Sequence, residues 1–206
     1  MTHRIALVTD STCDIPQEWR KKYEITVIPL TIVFGEEQLL DGVDISAVEF
    51  YERLGTDPNH PTTSQPTPND FKNVFEKVHK AGAEEILCIT ISSAMSGTMT
   101  SALGAAKDFP IPVQVMDSRN NSMGLGWQVI AAARAREAGG GMKEMVAAAE
   151  KIRDRIVYYI TLDTIEYLSK GGRIGDAGKW VDSVLQIKPL ITVKRDTGTV
   201  GVGLPS

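Results

Sequence analysis

Apolar residues fall in five short, nearly continuous runs, at residues 4–10, 26–34, 85–91, 113–116 and 156–162. The runs are rich in Val, Ile and Leu and do not alternate strictly with polar residues. That pattern predicts strands covered on both faces. Between the runs the pattern turns helical. Ser46 followed by Glu49 is a capping box that opens a helix to Leu54. Thr67-Pro68 places a hydroxyl cap and then proline at the first helical position, ahead of Phe71, Phe75 and Val78. Further helices are predicted over 96–107, 122–138 and 142–155. Gly139-Gly140-Gly141 stops the second, and the third carries Met145, Val146, Ala149 and Ile152 at helical spacing. Arg20-Lys21-Lys22 reads as a helix end.

After Leu162 the character shifts. A short helix is predicted over 163–170, broken by Gly171-Gly172-Arg173-Ile174-Gly175, and another over 176–185. A strand follows over 189–193, then a turn at Arg195-Asp196-Thr197-Gly198 and a second strand from Thr199. Strands alternating with helices predict an α/β layered fold. A first lobe, 1–155, holds a largely parallel sheet, and 156–206 begins an incomplete second α/β lobe. The last hairpin is expected to have nothing to pack on and to be loosely ordered after Lys188.

In such folds ligands sit beyond the carboxyl ends of the strands. Those ends read Thr9-Asp10-Ser11-Thr12, Ser92-Ser93-Ala94-Met95-Ser96-Gly97-Thr98 and Asp117-Ser118-Arg119-Asn120, all rich in hydroxyls, Asn and Asp. In the second, a strand end leads through small residues into a helix start, and free N–H groups plus the helix dipole make an anion site there. Ser93, Ser96 and Thr98 add neutral donors, and no Lys or Arg lies in the segment, which suits a carboxylate or phosphate. Helix capping by Ser96 alone is the simpler alternative. His60-Pro61-Thr62-Thr63-Ser64-Gln65-Pro66-Thr67-Pro68 is a polar loop stiffened by three prolines. Capping accounts for Thr67-Pro68 but leaves Thr62 to Gln65 unexplained.

Composition narrows the class. The 206 residues carry 22 Lys and Arg against 26 Asp and Glu, a net charge of −4, without the basic stripe that a nucleic-acid binder needs. No apolar run is long enough to cross a bilayer, and the start lacks a signal-peptide pattern. Two cysteines, Cys13 and Cys88, form neither a disulfide framework nor a metal pair and read as structural, in a reducing cytoplasm. Familiar catalytic motifs fail. Ala94-Met95-Ser96-Gly97-Thr98 is not G-x-S-x-G, Gly171–Gly175 is no Walker loop, and Gly124-x-Gly126 lacks the last glycine of a dinucleotide fingerprint. His3, His60 and His79 are scattered, and the acids show no metal-ligand spacing.

Together these segments resemble the DegV family of bacterial fatty-acid-binding proteins. The resemblance rests on Thr9-Asp10-Ser11, Pro61-Thr62-Thr63-Ser64-Gln65-Pro66, Ser92 to Thr98, Asp117-Ser118, Tyr167-Leu168-x-Lys170-Gly171-Gly172-Arg173-Ile174 and Leu185-x-Ile187-Lys188-Pro189, in that order. It implies a two-lobed α/β fold with one long-chain fatty acid in an apolar tunnel between the lobes. It also implies presentation of the carboxylate to a separate fatty-acid kinase, which forms an acyl phosphate for phospholipid synthesis. The resemblance makes the protein a binder without catalytic residues, cofactor or metal. Thr63 and Ser96 are the expected direct carboxylate ligands, with Ser64, Ser93, Gly97 and Thr98 as neighbours and Arg173 as a kinase contact. Family members continue for several tens of residues beyond the position of Gly198, so fatty-acid binding is expected to be weaker here. Two alternatives stand beside this one: a serine acyl hydrolase with Ser96 as nucleophile, and a degenerate lobe acting only through protein contacts.

Overall fold

The structure, a computed structural model, describes residues 3–176 and 190–203. Its centre is a parallel four-stranded sheet of β1 (Ile5–Asp10), β2 (Ile25–Ile28), β6 (Glu85–Thr90) and β7 (Val113–Asp117), in the order β2-β1-β6-β7. All six residues of β1 are buried, as its unbroken apolar run requires. The period of two divides its side chains between two cores. Ile5 and Leu7, with Leu87 and Ile89 of β6, pack against α5 (Ser122–Glu137) and α6 (Met142–Arg153) through Leu125, Val129, Met145 and Ala149. Ala6 and Val8, with Ile86 and Cys88, face α3 (Pro68–Lys80) and α4 (Thr98–Ala106) through Phe71, Phe75, Val78 and Ala102. The α/β class and the parallel sheet thus stand as expected.

The predicted strand over 26–34 is two strands in two sheets. Pro29 has no N–H to donate, so pairing with β1 stops at Ile28. The chain turns and β3 (Thr31–Phe34) joins an antiparallel sheet of order β4-β3-β5. The sequence reading did not include β4 (Glu37–Leu40), which returns through a turn at Gly35, φ +60°. The polar loop over 60–68 contains a real strand, β5 (Thr62–Ser64), with Thr63 opposite Ile32 and Ser64 opposite Thr31. The predicted Ser46 capping box and the predicted Thr67 cap are both present, and Asp70 makes the second a capping box as well. Ser46 starts α2 (Ala47–Leu54) and Thr67 starts α3. A 3-10 turn (Ser11–Cys13) and α1 (Gln17–Lys22) connect β1 to β2, and Arg20, Lys21 and Lys22 fill the last turn of α1.

The run over 156–162 is not a further parallel strand. It yields β8 (Tyr159–Thr161), which pairs antiparallel with β9 (Leu190–Val193), itself paired with β10 (Val200–Val202). The terminal hairpin therefore has a third strand beside it. It also has an apolar underside, where Ile191 and Val200 pack with Met95, Ile160, Leu162, Leu168 and Ile174. This corrects the expectation that nothing packs on it. A short helix, α7 (Glu166–Lys170), lies between β8 and the Gly171-Gly172 turn. The helix expected over 176–185 and the motif from Leu185 to Pro189 lie outside the described residues.

Candidate functional site

The site is built from β5, the β6–α4 connection and the turn after α7. Strand β6 is central and parallel, so its carboxyl end opens into a loop that must enter α4. Buried Asp10 holds the beginning of that loop: one carboxylate oxygen accepts from Ile91 N at 2.7 Å, and the other from Thr12 N and Thr12 Oγ1. Burial pushes the Asp10 carboxyl above the usual carboxylate range, against these three hydrogen bonds. Ser92 O then accepts from Met95 N and Ser96 N, which folds the loop into a tight turn.

Helix α4 begins at Thr98, two residues later than predicted, with Gly97 at the N-cap and no side chain capping it. Half-buried Ser96 lies just outside. Its Oγ is 2.8 Å from Thr98 Oγ1 and accepts from Thr98 N at 3.3 Å. Either hydroxyl can donate in that pair; with Thr98 as donor, the Ser96 oxygen accepts two bonds and its own proton is left for an anion in front of the helix. Thr98 is thus a support for Ser96. A threonine hydroxyl is also no general base at neutral pH, so this pairing does not activate Ser96 as a nucleophile.

Ser93 is bonded to the neighbouring strand end. Its hydroxyl donates to Asp117 Oδ2 at 2.5 Å and its N–H to Asp117 Oδ1 at 3.2 Å, while Arg119 N also donates to Oδ1. Ser93 braces the ends of β6 and β7 to each other. Thr63 and Ser64 are exposed at the end of β5. The next residue, Gln65, reaches α4: its side chain lies across Gly97 and donates from Nε2 to Ser101 Oγ at 3.2 Å. His60, at the other end of the same segment, stacks on Tyr167 of α7, with ring centroids 5.5 Å apart and planes 12° apart.

Arg173 closes the third side. Its Nε donates to Met95 O at 3.2 Å and its NH1 to Gly171 O at 2.6 Å, so an exposed guanidinium lies one residue from Ser96. Asp176 pairs with Lys194. The absence of basic residues from the 92–98 segment therefore did not carry over to the folded site. Met95 turns its side chain into the apolar cluster with Ile160, Leu162, Leu168 and Ile174, so apolar surface adjoins the hydroxyls on that side. A groove of about 600 Å³ between α3 and α4 is separate from this site. Charged Lys72, Glu76 and Asp108 line it together with apolar Ala105, Phe109 and Pro110. Among the described residues, no helix is long and apolar enough to cross a membrane. Sequence reasoning found the hydroxyls but assigned no task to Gln65, Asp117 or Asp10. The one available signal was a glutamine between serine and proline that capping left unexplained.

Known proteins share this arrangement of elements. A family model described as an uncharacterised protein of the DegV family matches residues 4–202. A DegV domain-containing protein of Streptomyces coelicolor is 38% identical over 195 residues, which cover 94% of this chain and 69% of that protein. A DegV family protein of Thermus thermophilus, described by its fatty acid binding, superposes with a TM-score of 0.89 at 35% identity, covering 97% of this chain and 70% of that one. A stearic acid-binding protein of Eubacterium ventriosum matches with a TM-score of 0.83 at 31% identity, covering 98% and 70%.

Proposed function

The chain belongs to the DegV family, and on that premise we propose that it binds one long-chain fatty acid, with the carboxylate held between Thr63 and Ser96 at the start of α4. The observation that carries this reading is the hydroxyl-bearing β5, joined through Gln65 to the N-terminus of a nine-residue helix whose N-cap residue is glycine. The helix dipole favours an anion there. With Thr98 as the donor in their hydroxyl pair, Ser96 has a proton to give such an anion, and the Arg173 guanidinium lies nearby. Ser64, Gly97 and Thr98 surround the head group, and Ser93 holds the loop through Asp117.

The acyl chain lies between a first lobe, 1–155, and the beginning of a second, 156–206. The apolar cluster beside Ser96 supports this, since it joins Met95 to Ile160, Leu162, Leu168 and Ile174 across that boundary. A buried methylene contributes about 0.8 kcal/mol, so a tail of about a dozen gives roughly 10 kcal/mol gross. Hydrogen bonds to the charged head add about 1.5–3 kcal/mol each. The tail thus supplies most of the affinity and the hydroxyls set its position. In this reading the protein is a carrier without cofactor. It presents the carboxylate to a separate fatty-acid kinase, and the exposed Arg173 beside Met95 is the contact offered to that partner.

The test is mass spectrometry of lipid extracted from the protein purified from bacterial cells. A long-chain fatty acid is expected near one equivalent. Thr63→Val combined with Ser96→Ala is expected to lower retention by about tenfold or more. Undiminished fatty acid in the double variant would refute the head-group assignment, and absence of lipid from the parent protein, with no uptake on addition, would refute the carrier reading.

A further inference from the structure

The N-cap position of α4 poses a question that the fatty-acid reading does not answer. Helices favour Ser, Thr, Asn or Asp at this place, where the side chain satisfies a free N–H. Here it is Gly97, and its φ of −76° is one that any residue adopts, so backbone conformation does not call for glycine. Space does. A Cβ on residue 97 would lie 2.4 Å from Gln65 Oε1, 2.6 Å from Nε2 and 2.8 Å from Cδ. The amide of Gln65 covers the Cα of Gly97 and hydrogen-bonds Ser101, which is buried within the first turns of α4. On its other side Gln65 is fixed by the chain. Ser64 before it is in register with Thr31, and buried Pro66 after it keeps residue 65 extended.

We propose that Gln65 is a positioning residue, a clasp that sets the separation between the Thr63-Ser64 strand end and the Ser96-Gly97 helix start so that both hydroxyl groups meet one carboxylate. Residue 97 is glycine because the clasp lies over it. This rests on the fatty-acid reading and adds to it what determines the recognition of the head group. The contact to Gly97 is made by the flexible end of a side chain, so a methyl group there displaces the amide and leaves the helix in place. Gly97→Ala therefore opens the clasp at little cost in stability.

The experiment compares stearic acid with methyl stearate, which has the same tail and no anionic head. Competition against a fluorescent fatty acid gives both affinities, and thermal unfolding is followed in parallel. In the parent protein the acid binds more tightly than the ester. Gln65→Ala and Gly97→Ala are each expected to lower the acid-to-ester affinity ratio about tenfold, the loss of one well-placed bond to a charged group. Gly97→Ala added to Gln65→Ala is expected to lower it little further, because the three atoms nearest that methyl all belong to the Gln65 side chain. Gln65→Met keeps a chain of similar length over Gly97 without the bond to Ser101 and guards against misfolding of the alanine variant. Its ratio is expected to fall as well. A residue that merely supported the fold would lower both affinities together along with the melting temperature. Ratios that stay at the parent value in all three single variants overturn the clasp while leaving the fatty-acid reading intact. A parent protein that does not distinguish acid from ester overturns the head-group reading and the clasp with it.

Discussion

The Ser92 hydroxyl donates to the carbonyl of Gly198 at 2.8 Å, across 106 residues of chain, in a buried contact. The bond joins the loop after β6 to the turn between β9 and β10. Ser92 Oγ also accepts from Ala94 N, so the same atom shapes the start of the 92–98 segment. Gly198 has φ +68°, and a Cβ there would lie 2.2 Å from Ser92 Oγ and 3.0 Å from Arg119 Cα. The tight β9–β10 turn thus fits against the sheet end only with glycine at its tip.

Ser92→Ala is expected to cost about 1–3 kcal/mol, because it leaves a buried carbonyl unpaired. Gly198→Ala combines left-handed backbone, about 1–2 kcal/mol, with overpacking of about 1–3 kcal/mol, for about 2–5 kcal/mol in all. Denaturant midpoints at constant slope measure both. The two losses should be less than additive, since Ser92→Ala removes one of the atoms that the new methyl strikes. Strict additivity would show that the contact is not made in solution.

Asp10 should give the stability curve a characteristic slope with pH. Burial raises its folded-state pKa above the ordinary value near 3.8, so the folded chain holds this proton more tightly than the unfolded chain does. Its contribution is present below the unfolded value and is lost as pH rises through the folded one. Asp10→Asn abolishes that slope. It also turns an N–H group toward one of the three donors, Thr12 N, Thr12 Oγ1 or Ile91 N, at a cost of about 1–3 kcal/mol at neutral pH. Urea titrations of both proteins between pH 4 and pH 8 would show it. Parallel curves would mean that the carboxyl is not held as described.

Both cysteines should resist alkylation in the folded protein. Burial pushes the Cys13 thiol up to about 12, and that of Cys88, completely buried, further upward. At pH 8 neither supplies the thiolate that iodoacetamide requires. Labelling followed by mass spectrometry is expected to find both free thiols unmodified in buffer and both modified in denaturant. Modification of Cys88 in buffer would mean that the parallel sheet opens locally.

Arg173→Ala separates a stabilising role from a partner contact. The side chain is exposed and bonds two carbonyls, so the melting temperature should move by no more than about 1–2 °C. Acyl-phosphate formation with a reconstituted fatty-acid kinase is expected to fall. Full turnover with the variant would remove Arg173 from the interface proposed for it.

Some of this protein is decided locally and can be read along the chain. The apolar runs at 4–10 and 85–91 determine central strands, because only burial on both faces accommodates them. Ser46 with Glu49, and Thr67 with Pro68 and Asp70, determine where two helices begin, because a cap is satisfied within four residues. The hydroxyls at 62–64 and 92–98 could be marked as candidates for the same reason. Tertiary structure decided what depends on partners distant in sequence. Three polar residues become strand β5 only because Ile32 and its neighbours offer backbone groups to pair with. The run at 26–34 divides between two sheets at Pro29, and the run at 156–162 joins a sheet whose other strands lie some thirty residues on. No spacing rule places Gln65 on Gly97, Arg173 on Met95 or Ser93 on Asp117. Each depends on where folding brings a side chain against backbone or a side chain from another element, and sequence distance does not encode that separation.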